Sequence, residues 1–149
     1  MNVMLIINKQ PYEVLIRPDE FLVETLRKIG FVSVKKGCDE TSCGVCTILI
    51  DDKPVPSCSY LSARAVGHQI TTVEGIFDDA ERFADYMGEE GADQCGFCNP
   101  GLTLAVYAMK LEKIEPSVDA ISHYLNGNLC RCTGYIAQHK AIMKFLEVK

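Results

Sequence analysis

The chain has 149 residues, of which 48% are apolar and 23% charged, and a formal net charge of −5. This is the composition of a globular protein, long enough for one ordinary domain or two small ones, and it excludes a disordered chain. The acidic balance, with no basic run, also excludes nucleic acid and an anionic membrane surface as expected partners.

In chain order, residues 3–7 and 12–16 are short β-rich runs around a turn at 8–11, which predicts a hairpin. A helix should follow, with Asp19 as N-cap, an apolar stripe of Phe21, Leu22, Leu26 and Ile29, and Gly30 as its stop. The pattern then predicts a strand at 31–34, a cysteine-bearing loop, a strand at 47–50 and a turn at 51–53. Pro54 and Pro56 lead to Cys58, and a last strand is expected at 69–73. Strand–strand–helix–strand–strand order predicts an α+β unit of β-grasp type over 1–75.

From about residue 76 the apolar period becomes helical. Helices are expected at about 78–87, 102–113, 117–125 and 135–148, with Pro100-Gly101 opening the second, Pro116-Ser117 capping the third and Asn126-Gly127 ending it. Four helices with short links predict an antiparallel four-helix bundle over 76–149. Cys95/Cys98 and Cys130/Cys132 each stand just before a helix start, so both helix amino ends are expected to face them.

All eight cysteines fall into two sets of four. Cys38, Cys43, Cys46 and Cys58 are spaced C-x4-C-x2-C-x11-C, the spacing of a plant-type [2Fe–2S] loop. Structural zinc more often uses two C-x2-C pairs or Cys/His mixtures, so this set points to iron. Cys95, Cys98, Cys130 and Cys132 read C-x2-C-x31-C-x-C, a spacing open to zinc as well as to a cluster. Disulfides are disfavoured. Met1 to Ile7 has neither the basic lead nor the cleavage site of a secretory signal, and no stretch has the length of a membrane span. A cytoplasmic location is expected, where thiols stay reduced. Two ferric clusters at about −2 each would take the net charge to about −9.

Other candidates are weaker. His68, His123 and His139 lack ligand spacing, and Lys35-Lys36 reads as a solvated pair. Arg131, between two cysteines, has the reach for a cofactor phosphate or a partner carboxylate. Tyr107 and Met109 read as packing, and the sequence carries no catalytic triad, paired-carboxylate site, phosphate loop or dinucleotide fingerprint.

Three segments carry a family resemblance: Gly37-Cys38 with Cys43-Gly44-Val45-Cys46-Thr47, Gln94-Cys95-Gly96-Phe97-Cys98-Asn99-Pro100-Gly101, and Gly127-Asn128-Leu129-Cys130-Arg131-Cys132-Thr133-Gly134-Tyr135. Together they resemble the iron–sulfur subunit of the molybdenum hydroxylases, the family of xanthine dehydrogenase, aldehyde oxidoreductase and aerobic carbon monoxide dehydrogenase. The resemblance spans nearly the whole chain and implies [2Fe–2S] at the second cysteine set too. It implies a large partner subunit that holds molybdenum on molybdopterin and performs the chemistry. Electrons would pass through the Cys95/Cys98/Cys130/Cys132 cluster, then the Cys38/Cys43/Cys46/Cys58 cluster, to FAD on a medium subunit. Gln94 and Cys132 would contact the molybdopterin. No catalytic residue is then expected on this chain, and a purine or related N-heterocycle is the expected substrate of the complex. Thr41, where the family often has glycine, and Asn99, where it usually has threonine, depart from the pattern.

Overall fold

The computed structural model describes residues 1–147. Strands β1 (Asn2–Ile7) and β2 (Gln10–Leu15) form the expected hairpin, closed by Asn8 and Lys9 at φ +51° and +67°. Two adjacent left-handed residues match the twist of the flanking strands. Helix α1 (Leu22–Lys28) follows, then the cysteine loop, β3 (Thr47–Ile50), β4 (Lys53–Pro56) and β5 (Gln69–Thr71). The sheet order is β2-β1-β5-β3-β4, with β1 and β5 parallel and the other neighbours antiparallel. Leu5, Ile7, Val14, Ile48, Ile50 and Ile70 of the sheet share one core with Leu22 and Leu26 of α1.

The helical half comprises α2 (Phe77–Glu89), α3 (Asn99–Leu111), α4 (Val118–Tyr124) and α5 (Ile136–Glu147). Its core joins Phe83, Met87, Leu102, Val106, Met109, Ile121, Ile142 and Phe145, with the Phe83 and Phe145 rings edge to face at 5.5 Å. An open β-sheet followed by a helical bundle is the architecture the sequence predicts. Among the described residues no helix is long and apolar enough to cross a membrane.

Helix α3 joins the two halves. Its buried residues run Gly101 to Val106 and then Ala108 and Met109, so apolar side chains surround it. One side enters the bundle core, and on the other Leu104 and Ala108 meet Leu49 and Ile76. This explains why all four residues of β3 are buried: Ile48 and Ile50 face α1, and Leu49 faces α3.

Five local expectations need correction. Residues 31–34 form a turn instead of a strand, because Arg27 caps the Val32 and Val34 carbonyls at 3.2 and 2.8 Å, where a strand would need ladder partners. β4 is a real strand despite Pro54 and Pro56, because it lies at the sheet edge, where a missing N–H costs no ladder bond. Asp19 does not cap α1. It pairs with Arg17, while the N-cap position is Phe21, without a side-chain cap. Helix α3 starts at Asn99, earlier than expected, since proline is tolerated in a first turn. Tyr135, at φ +72°, stands just outside α5, and Val148, the expected end of that helix, lies outside the described residues.

Candidate metal centres

All eight cysteines are free of disulfides. The first set lies in the loop between α1 and β3, with Cys58 brought in by the 3-10 turn at Ser57–Ser59 after β4. The Ser57 N–H and hydroxyl both bond the Cys46 carbonyl, at 3.2 and 2.7 Å, which fixes the two cysteines side by side. The thiols affect one another: Cys43 helps to lower the Cys38 pKa, and Cys58 helps to raise that of Cys46.

Backbone amides surround these sulfurs. The N–H of Cys43 first, then its thiol and the N–H groups of Glu40 and Ser42, lower the Cys38 pKa to about 6. Burial pushes Cys46 up to about 11 and also raises Cys43. Such cysteines gain from a metal that takes the thiolate form directly. Thr41 turns the loop at φ +59°, and its hydroxyl lies 3.8 Å from Cys58 Sγ.

The second set is assembled from two distant segments. Cys98 is the N-cap residue of α3, and the Cys130/Cys132 loop leads into α5, so the amino ends of both helices stand at this site. The thiols again affect one another: Cys132 helps to lower the Cys95 pKa, and Cys98 helps to lower that of Cys130. Cys95 and Cys132 are exposed, whereas Cys98 and Cys130 are half-buried on the inner side. Burial pushes Cys98 up to about 11. Burial would raise Cys130 too, but the Thr133 hydroxyl, 3.2 Å from its sulfur, and the N–H groups of Thr133 and Cys132 outweigh it and lower its pKa. Around Cys98, Gln138 Nε2 lies at 3.8 Å and Asn99 Oδ1 at 3.6 Å.

Four free cysteines at each place, with backbone N–H groups directed at their sulfurs, are a donor set that fits [2Fe–2S].

The two sites abut. The Leu129 N–H donates to the Cys43 carbonyl at 2.8 Å, joining a residue beside Cys130 to a cysteine of the other set. The Asn128 amide reaches the Gly44 carbonyl and Thr47 Oγ1, both at 3.3 Å. Gly44 and Gly101 permit this approach: a Cβ on Gly44, at φ +72°, would stand 2.0 Å from the Gly127 carbonyl, and one on Gly101 2.6 Å from the Gly44 carbonyl. Lys35 is no solvated lysine. Its Nζ bonds the carbonyls of Gly96 and Phe97 at 3.4 and 3.3 Å, lies over the Phe97 ring and ties the first loop to the second.

Two profiles cover the chain: a "2Fe-2S iron-sulfur cluster binding domain" over residues 5–70 and a "[2Fe-2S] binding domain" over 72–143. Over 150 residues the chain is 35% identical to the nicotinate dehydrogenase small FeS subunit of Eubacterium barkeri, covering 99% of this chain and 96% of that one. It is 42% identical over 133 residues to the xanthine dehydrogenase iron-sulfur-binding subunit of Escherichia coli O157:H7, covering 87% and 84%. The chain belongs to the iron–sulfur subunits of the molybdenum hydroxylases. A solved structure of quinoline 2-oxidoreductase from Pseudomonas putida 86 has a chain that superposes with a TM-score of 0.88 at 36% identity, covering 96% of this chain and 90% of that one. At family level, the role is that of an electron-transfer subunit with two [2Fe–2S] clusters.

The remaining sequence candidates are placed as follows. Gln94 is exposed beside Cys95, and Arg131 and Cys132 line an outward hollow of about 330 Å³ with Phe97, Leu129 and Tyr135. His68 pairs with Asp51, His123 lies in the last turn of α4, and His139 is half-buried beside Tyr135. Met109 is fully buried, as a packing residue should be. Gln138 is absent from every cysteine motif. Its only sequence signal is a polar side chain on an otherwise apolar helical stripe.

Proposed function

We propose that Cys38, Cys43, Cys46 and Cys58 hold one [2Fe–2S] cluster and Cys95, Cys98, Cys130 and Cys132 the other. On this reading the chain relays electrons from the molybdopterin centre of a large subunit to FAD on a medium subunit, within a cytoplasmic complex. When bound, the clusters supply one-electron storage. The chain's own residues hold the two sites at a fixed short separation, and the single observation that carries the reading is the Leu129 N–H···O=C Cys43 bond between them. Asn128 and Lys35 fasten the same seam from either side.

The outward pair, Cys95 and Cys132, marks the entry side. Phe97, Leu129 and Tyr135, which line the hollow with it, are exposed by 45, 46 and 36%, an apolar rim suited to a protein partner. Gln94 and Cys132 on this rim are the proposed molybdopterin contacts, and Arg131 is placed to meet an anionic group there. No residue of the chain is assigned a role in substrate chemistry.

For the complex, an N-heterocycle such as a purine is the favoured substrate. The names nicotinate dehydrogenase, xanthine dehydrogenase and quinoline 2-oxidoreductase among the similar proteins support this. The aldehyde oxidoreductase of Desulfovibrio desulfuricans, with an equal TM-score of 0.88 at 34% identity, supports the rival aldehyde reading.

Purification from the native source tests the proposal. Co-elution with a molybdenum-containing chain, about four irons and four sulfides per small chain, and two rhombic EPR signals after reduction are expected. Zinc without sulfide overturns the cluster assignment. A stable, functional monomer overturns the subunit role and favours a free ferredoxin-like carrier.

A further inference from the structure

Gln138 occupies the first turn of α5 and is 3% exposed. It begins a buried stripe whose other members, Ala141, Ile142 and Phe145, are apolar and fill the helical core. An aliphatic side chain would satisfy that position as packing. The amide needs a polar partner, since a buried donor without one is costly. Among the described residues, the hydrogen bond its side chain makes is from Nε2 to Cys98 Sγ, at 3.8 Å, within the range expected for a sulfur acceptor.

The position of this bond matters as much as its existence. Gln138 lines the seam between the two sites with Cys43, Cys98, Cys130 and Leu129, and the seam has no room for a water molecule. On the seam side of Cys98, water therefore cannot replace the amide as a donor. The exposed pair Cys95 and Cys132 can draw hydrogen bonds from solvent; Cys98 and Cys130 also border the outward hollow, but each has a side-chain donor from the protein as well, Gln138 for Cys98 and Thr133 for Cys130.

We propose that Gln138 is a positioning residue that sets the reduction potential of the helical-domain cluster, its side-chain amide donating to the Cys98 sulfur that faces the seam. The proposal rests on Cys95, Cys98, Cys130 and Cys132 holding that cluster. Reduction adds one electron and increases the negative charge on the ligand sulfurs, so a fixed N–H donor stabilises the reduced form more than the oxidised form and raises the potential. The electron comes from the partner subunit in the complex, or from the reductant in a titration, and the amide keeps its protons throughout.

The test is an EPR-monitored redox titration of the cluster-loaded full chain in its complex, comparing wild type with Gln138→Leu and Gln138→Met. Both substitutions keep the volume and delete the donor. The signal of the helical-domain cluster, identified by its loss in Cys98→Ser, should move to lower potential in both. At the wild-type midpoint its reduced-to-oxidised ratio should fall about tenfold, roughly 59 mV for one electron. The other signal should hold its midpoint. Wild-type midpoints in both variants overturn the proposal. So does loss of the cluster in both, which would make Gln138 an assembly residue. A wild type that shows only one cluster signal takes down the cluster reading itself, a separate result.

Discussion

The two thiol sites solve one problem by opposite routes. The sheet-domain site is local: three of its cysteines share one loop, and backbone N–H groups of that loop and its thiols set the sulfur environment. The helical-domain site is tertiary: its halves are separated by 31 intervening residues and meet because α3 and α5 pack together, with Thr133 and Gln138 supplying side-chain donors. A local site is specified by spacing, whereas a tertiary one is specified by a core. The first should tolerate changes in distant packing, and the second should respond to them.

Ligand removal gives the largest effect and tests whether the sites are separate. Cys46 is 2% exposed. Cys46→Ser should abolish the sheet-domain cluster, lowering iron and sulfide from about four to about two of each per chain and leaving one EPR signal. Cys98→Ser should remove the other signal instead. Loss of both clusters in either variant would break the picture of two independently assembled centres.

Next comes the seam that holds the sites together. Gly44→Ala places a Cβ against the Gly127 carbonyl and forces alanine to φ +72°. The left-handed backbone alone costs about 1–2 kcal/mol, and the clash adds to it, so about 3 kcal/mol or more of stability should be lost. A thermal scan of the cluster-loaded chain reads this directly. Asn128→Ala is milder, because it removes two hydrogen bonds without adding a clash. A loss of about 1–2 kcal/mol is expected, and an unchanged melting temperature would show that the seam is held without this residue.

The same contrast governs how much was legible in the sequence. The sheet-domain cysteine loop, the first hairpin and the helical periodicity of the second half could be read because each depends on residues close together in the chain. β4 was hidden because Pro54 and Pro56 look like strand breakers, and only the sheet order reveals an edge. The apparent strand at 31–34 failed because an arginine side chain satisfies its carbonyls. Lys35 reads as solvated because its carbonyl partners, Gly96 and Phe97, lie 61 and 62 residues on and meet it only in the fold. Gln138 could not be singled out, since its partner is 40 residues away and the two meet only through helix packing.

The smallest expected effect lies in the sheet domain and concerns pH. Glu20 is 3% exposed, receives the Thr25 hydroxyl at 2.6 Å and the Arg17 N–H at 3.3 Å, and stands beside the Arg17 guanidinium. The Thr25 bond chiefly, opposed by burial and aided by the Arg17 N–H and nearby cations, holds its carboxyl below the usual value of 4.5. With the folded pKa depressed, the unfolded chain takes up the proton first as pH falls. Glu20 therefore contributes stability that is fully present above 4.5 and is lost as pH drops through the folded value. Glu20→Gln should be less stable than wild type near neutrality, and the gap should narrow below pH 4.5. Chemical unfolding of the cluster-free chain at pH 7 and pH 3.5 separates this from acid loss of the clusters. A gap that stays constant between those two pH values would mean that the carboxylate charge contributes nothing to holding α1 against the sheet.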